Sequence, residues 1–203
     1  MGIVHPGAPK PLLEAVKKTG KFRIFVETGT AAGDTALMAG DLFDTVITME
    51  ADPALAEAAH ERLSGRKGIL PLAGDSRELL PQLLPRLAGP AVFWLDAHYC
   101  GEASFGRGDE CPLLAEIAAI VTSDTPHVVL IDDARLLTSP PPPPHDASHW
   151  PSLDTVLAAL GAGTDRDVVL HEDVLIAIPR ASASLWETLF PHGRPETLAP
   201  SHG

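Results

Sequence analysis

The sequence predicts an α/β fold built on a mostly parallel sheet with helices on both faces. Short apolar runs rich in Val, Ile and Phe alternate along the chain with longer segments whose apolar residues recur at helical spacing. That alternation is the pattern of strand–helix–strand units. Five of the apolar runs end in a polar or acidic residue, which places chemistry at one end of the sheet. A length of 203 residues with 45% hydrophobic content suits one domain with an ample core.

The elements follow in order. Residues 11–19 read as a helix with Leu12, Leu13 and Val16 on one face and Gly20 as its stop. Strand one covers 22–26, with Glu27 closing it, and a helix covers 34–40. Strand two covers 45–49 and ends at Glu50. Asp52 and Pro53 open a helix running to Leu63: Asp52 is a good cap, and Pro53 sits where a missing N–H costs nothing. Gly65 and Gly68 surround a turn into a short strand over 69–72, followed by a helix over 77–84. Strand four covers 91–95 and ends at Asp96. A Gly-rich loop over 99–110 leads to a helix from Pro112, with Leu113, Leu114, Ile117, Ile120 and Val121 at helical spacing. Strand five covers 127–131 and ends at Asp132 and Asp133.

Residues 138–150 form an irregular loop whose five consecutive prolines, Pro140 to Pro144, make a stiff spacer rather than a domain boundary. A helix over 151–160 follows. Segments 168–170 and 174–178 read as two antiparallel strands joined at His171, Glu172 and Asp173, for seven strands in all. The tail over 191–203 is rich in Pro, Gly and His and reads as loose. There is no internal repeat.

Composition excludes several roles. The net charge is −12 with Lys and Arg scattered, so a nucleic acid or an anionic membrane is a poor partner. No apolar run nears the roughly 18 residues that span a bilayer, and the first residues lack a signal-peptide core. A cytoplasmic location is expected. Cys100 and Cys111 share one loop and read as free thiols, with a loop disulfide or a metal site as alternatives; the paired spacing of a structural zinc site is missing.

The segment 22–33, FRIFVETGTAAG, carries the most information. Gly29 and Gly33 bracket a tight turn between strand one and the helix at Asp34. Glycine lets a backbone pass close to a ligand, and the carboxyl ends of parallel strands face a crevice. The pattern is E-x-G-x-x-x-G, not the G-x-G-x-x-G of dinucleotide sites. Glu27 sets a carboxylate where a pyrophosphate loop wants none, and it suits a cationic amine instead. By itself the segment also serves an ordinary strand–turn–helix joint.

With the later strand ends included, the chain over residues 11–180 resembles the class I S-adenosylmethionine (SAM)-dependent methyltransferases, with their Rossmann-like methyltransferase fold and terminal antiparallel strand. The resemblance implies that Glu27, Gly29, Thr30 and Gly33 form the cofactor loop. It implies that Glu50 accepts both ribose hydroxyls, that Asp75 and Ser76 lie beside the adenine, and that Asp96 borders the cofactor. A ribose diol offers two donors, and one carboxylate accepts both. Glu50 also suits a plain helix-entry acid, and Asp75 a plain turn.

The segments FWLDAHY and VVLIDDA are similar to the metal-binding strand ends of cation-dependent O-methyltransferases, including the macrocin-type group that acts on sugars. That similarity implies a magnesium ion on Asp96, Asp132 and Asp133. The residues themselves point the same way. Neighbouring strands about 4.8 Å apart would bring three carboxylates into one crevice. Unpaired, they would repel or take up protons, and a hard divalent cation resolves that. A helix cap and a solvated Asp are the plainer alternative. Two departures stand out: the macrocin-type group usually has a second Asp where this chain has His98, and no Lys follows Asp96 closely. The segment 98–112 is also similar to a D-A-H-[YF]-x-G…CPLL pattern of bacterial methyltransferase-like proteins.

The implied activity is methyl transfer from SAM to a hydroxyl of a small molecule or sugar. His98, whose side chain has a reference pKa near neutrality, is the candidate base beside Asp96. His145, His149 and Arg135 are candidates for the same mouth or for ordinary surface contacts. Two other functions stay open. A non-catalytic SAM-binding module would leave the acids idle. A metal-dependent hydrolase using Asp96, His98, Asp132 and Asp133 would leave Glu50 and the glycine loop idle. The terminal strand pair and first helix are the surfaces open to a homodimer.

Overall fold

Five apolar strands lie in parallel at the centre of the computed structural model, which describes residues 7–98 and 108–201. Cys100 and most of the expected loop over 99–110 fall outside the described residues. The parallel strands are β1 (Ile24–Thr28), β2 (Thr45–Glu50), β3 (Ile69–Ala73), β4 (Ala91–Leu95) and β5 (Val128–Ile131). The hairpin β6 (Arg166–His171) and β7 (Val174–Pro179) follows, with β7 antiparallel to β5. A final strand, β8 (Thr197–Leu198), completes an eight-stranded sheet of order β3-β2-β1-β4-β5-β7-β6-β8.

The eighth strand corrects two expectations, the count of seven and the loose tail. Leu198 pairs with Val168 and Thr197 with Val169, covering part of an edge whose backbone groups would otherwise face solvent. Two residues between prolines give no alternating pattern to read. Other differences are small. The expected strand 22–26 is shifted, so Glu27 lies inside β1 rather than after it.

The helices are α1 (Lys10–Lys18), α2 (Asp34–Gly40), α3 (Pro53–Leu63), α4 (Ser76–Leu83), α5 (Leu113–Val121), α6 (Leu153–Ala159) and α7 (Leu185–Leu189). They cover the sheet in two layers because successive strand residues point to opposite faces. Phe25, Val92 and Trp94 join Leu13 and Val16 of α1, Ala36 and Ala39 of α2, and Leu185 of α7 in one core. Val26, Phe93 and Leu95 join Leu80 of α4, Ile117 and Ile120 of α5, and Val156 of α6 in the other. Every residue of β4 is buried, which explains the unbroken apolar run AVFWL.

The topology fixes where a ligand can sit. From β1 the chain builds outward through β2 and β3, then crosses back to lay β4 on the other side of β1. Helices therefore leave β1 and β4 in opposite directions, and a crevice opens between their carboxyl ends. β1 and β4 are in register, with Thr28 opposite Leu95, so Gly29 and Asp96 face one another across it.

Phe93 tests the core. It is fully buried and meets the His127 ring edge-on at 5.1 Å. Phe93→Ala should lower unfolding stability by about 3–5 kcal/mol in urea titration. A loss below about 1 kcal/mol would show that the two-layer packing around β4 is misassigned.

Candidate functional site

Gly29 sets the first wall. Its φ is +81°, and an added Cβ would lie 2.3 Å from the Asp96 carbonyl oxygen. Only glycine lets β1 and β4 approach this closely and still turn. The amides of Gly29 and Thr30 donate to the Met49 carbonyl at 2.9 and 3.1 Å, and the Gly33 amide closes the turn onto the Thr30 carbonyl at 2.8 Å.

Glu50 ends β2 and is mostly buried. Its Oε2 accepts the Ala31 amide at 2.8 Å and its Oε1 the Asp52 amide at 3.0 Å. Each carboxylate oxygen has a second lone pair, so the group is held in place and can still accept from a ligand. Asp75 caps α4 by accepting the Arg77 amide at 2.9 Å, and Arg77 grips its carboxylate and reaches Asp109 as well. The Arg77 guanidinium holds the Asp75 carboxyl below the usual range.

Gly29, Glu50, Asp75, Ser76, Asp96 and His98 line a cavity of about 320 Å³ at this crevice. Glu27, Thr30 and Gly33 stand outside that lining. Glu27 is on the same strand face as Phe25 and is 1% exposed. The Thr48 hydroxyl donates to its Oε2 at 2.6 Å, and Thr30 meets Thr48 at 2.6 Å. Thr48 has one proton and gives it to Glu27, so Thr30 is the donor of the second bond. The Glu27 carboxylate, expected to meet a cationic amine, faces this threonine pair. Burial pushes the Glu27 carboxyl up to about 8, against the Thr48 bond and reinforced by Asp96.

The second wall is acidic. Leu95 pairs with Ile131, so β4 and β5 deliver Asp96, Asp132 and Asp133 to one place, as the sequence implies. His98 stands among them, with Nε2 3.0 Å from Asp133 Oδ2 and Nδ1 3.6 Å from Asp96 Oδ1. The first distance is a hydrogen bond; the second is an electrostatic contact. The Trp150 ring packs against His98, with centroids 5.4 Å apart. Arg135 Nη1 lies 2.5 Å from Asp133 Oδ1 and also engages Asp173. Burial raises both the Asp96 and the Asp132 carboxyls well above the ordinary range, with Asp133 repelling Asp96 against the pull of His98 and Asp96 repelling Asp132, so the pair holds a proton between them. Asp133 goes the other way. Burial opposes its ionisation, but His98 and Arg135 outweigh that and keep it low.

The three carboxylates expected to hold magnesium thus meet His98 and Arg135. Among the described residues no group of three His, Cys, Asp or Glu side chains is disposed to hold a metal ion. An imidazole, a guanidinium and a shared proton balance Asp96, Asp132 and Asp133.

One functional residue has no signal in the sequence. Glu110, 3% exposed, accepts the Trp150 indole N–H at 2.9 Å and the Asp146 amide at 3.1 Å, and meets His145 Nδ1 at 3.1 Å. Burial opposes its charge, yet these donors keep the carboxyl below its usual range. Glu110 thus ties the proline-rich loop to the site and seats Trp150 over His98. His145 is placed by this contact, not at the cavity lining, and His149 is likewise outside it. Cys111 is a free thiol, pushed up to about 11 by burial.

No protein-family model matches the chain, and no curated protein matches its sequence. Solved structures match it in fold. The O-methyltransferase TomG from Streptomyces achromogenes, involved in tomaymycin synthesis and solved with SAM, is 17% identical over 84% of this chain and 78% of its own, with a TM-score of 0.59. An O-methyltransferase from Bacillus cereus, solved with S-adenosylhomocysteine (SAH), is 15% identical over 88% and 84%, with a TM-score of 0.61. The SAH-bound methyltransferase PaMTH1 from Podospora anserina is 19% identical over 87% and 90%, with a TM-score of 0.55. The chain shares the Rossmann-like fold of these methyltransferases.

The Glu27 environment predicts a pH effect. The unfolded carboxyl ionises near 4.5, whereas the folded one keeps its proton to about 8. Its stabilising contribution is complete below the lower value and is lost as pH rises through the upper one. Asp96 and Asp132 act with the same sign. Glu27→Gln should flatten the fall in urea midpoint between these pH values without abolishing it. An unchanged slope would contradict the assignment.

Proposed function

We propose that this protein is a SAM-dependent methyltransferase acting on a hydroxyl of a small molecule, with His98 as general base. The position of His98 carries the reading. Its imidazole lines the cavity at the β1–β4 crevice and is anchored on its far nitrogen by Asp133.

The residues at the crevice fit the cofactor. Gly29 lets the turn after β1 pack against the Asp96 carbonyl at the cavity wall, and Glu50 keeps lone pairs at the end of β2, where a ribose diol would be accepted. When bound there, SAM supplies an electrophilic methyl group on a sulfonium. The chain then has to hold the acceptor oxygen in line with that methyl and remove its proton. With Nε2–H donated to Asp133, Nδ1 of His98 takes the hydroxyl proton. Asp133 stabilises the imidazolium that results, and Arg135 keeps Asp133 ionised and oriented. The proton of the acceptor hydroxyl would end on His98. Trp150, seated by Glu110, packs beside the imidazole and shields it from water.

Magnesium has no step in this reading, because Asp133 is taken by His98 and Arg135 and Asp132 shares a proton with Asp96. The hydrolase alternative rests on the same metal set and weakens with it. The acidic composition favours a small-molecule acceptor over nucleic acid. Among the described residues no helix is long and apolar enough to cross a membrane. The cytoplasmic location and a homodimer through the terminal hairpin remain parts of this proposal.

Methyl transfer from labelled SAM to a panel of hydroxylated small molecules tests it. His98→Ala should lower kcat by about 10²–10⁴-fold while SAH affinity changes little. A chelator should leave turnover unchanged. Full turnover in the variant, or turnover that needs a divalent cation, would overturn the base assignment.

A further inference from the structure

Glu116 on α5 is a buried carboxylate that the reaction above does not use. It is 1% exposed, and its Oε1 has no hydrogen-bond partner among the described residues. A carboxylate oxygen withdrawn from water without a donor is costly, so a ligand or an ordered water is expected to meet it. Burial pushes the Glu116 carboxyl up to about 7, against the hydroxyls of Ser76 and Thr28, which favour its charged form.

Glu116 borders a void of about 20 Å³ shared with His98, Asp132, Asp133 and Trp150. That is room for a single water-sized group. The void has His98, Ala97 and Pro112 in common with the larger cavity, so one small molecule can reach both. Its charges are unequal. Asp133 is met by His98 and Arg135, and Asp132 shares a proton with Asp96, whereas Glu116 makes no ion pair among the described residues.

We propose that this void receives the ammonium group of the methyl acceptor, so that the acceptor is a small amino alcohol whose hydroxyl lies beside His98. The assignment rests on the methyltransferase reading. An ammonium supplies the donor that Glu116 Oε1 lacks and a positive charge beside its carboxyl, and it can rest against the Trp150 ring. Held as a cation, its nitrogen has no free electron pair, so methylation goes to oxygen. Carboxylate and phosphate groups are rejected by the same acids.

The test uses the full chain and three matched probes: ethanolamine, ethylene glycol and glycolate. Binding is followed by calorimetry with and without SAH. Ethanolamine should bind saturably and at least about tenfold more tightly than either other probe, as a charged hydrogen bond requires. Glu116→Gln should erase that preference while SAH affinity stays within about twofold. Equal binding of the three probes by the unaltered protein overturns the proposal, as does no ethanolamine binding or an undiminished preference in Glu116→Gln. In those cases an ordered water is the occupant. The two readings fail separately. If SAH does not bind but ethanolamine discrimination persists, the methyltransferase reading falls and the ammonium site stands. If SAH binds and discrimination is absent, the reverse holds.

Discussion

Paired parallel strands β4 and β5 end in Asp96, Asp132 and Asp133, and three half-buried carboxylates this close must have their charge met. Repulsion between them would otherwise open the crevice or force protons onto all of them. The protein meets the charge with three different devices. His98 inserts between Asp96 and Asp133, Arg135 takes the other side of Asp133, and Asp96 and Asp132 share a proton. The consequence is chemical as well as structural. An imidazole anchored by an ionised aspartate at the edge of a ligand cavity is equipped to accept a proton. The fold thus obtains a base from the same contacts that keep its strand ends together.

Everything on the cofactor side depends on how closely β1 and β4 approach. The Gly29 backbone packs against the Asp96 carbonyl, and this brings the E-x-G-x-x-x-G turn next to the acidic wall. Glu50 stitches that turn to the start of α3 through the Ala31 and Asp52 amides. Glu110 does the equivalent on the other side by holding Trp150 and the Asp146 amide. Two buried carboxylates, each bonded to backbone or indole donors, fix the two halves of the cavity. Neither can be replaced by an apolar side chain without leaving buried donors unsatisfied.

The parts of this arrangement that follow from local chain pattern were legible in the sequence. The five parallel strands show as apolar runs, and Gly29, Glu50, Asp75, Asp96, Asp132 and Asp133 follow their strand ends directly. A strand end in a parallel sheet has a known address, so these residues could be placed without coordinates. That Glu27 faces Thr48 of the neighbouring strand leaves no local trace in the sequence. Glu110 and Trp150 are 40 positions apart, and their hydrogen bond leaves no local trace. Glu116 reads as one polar position in an apolar helix, and only the packing of α5 on the sheet reveals that it is buried. β8 is too short for any periodicity. The three carboxylates can be placed from the sequence, but it does not say that His98 and Arg135 point among them.

The central claim is that the crevice between β1 and β4 holds a SAM-type cofactor through Glu50 and needs no metal to do so. Calorimetric titration with SAH, in the presence of magnesium and again in chelator, tests it most directly when run on the unaltered protein and on Glu50→Ala. The account predicts micromolar binding that is the same in both conditions and weakened by about 1.5–3 kcal/mol in the variant, the range for a hydrogen bond to a charged group. No binding in either condition, or equal affinity in Glu50→Ala, would contradict it.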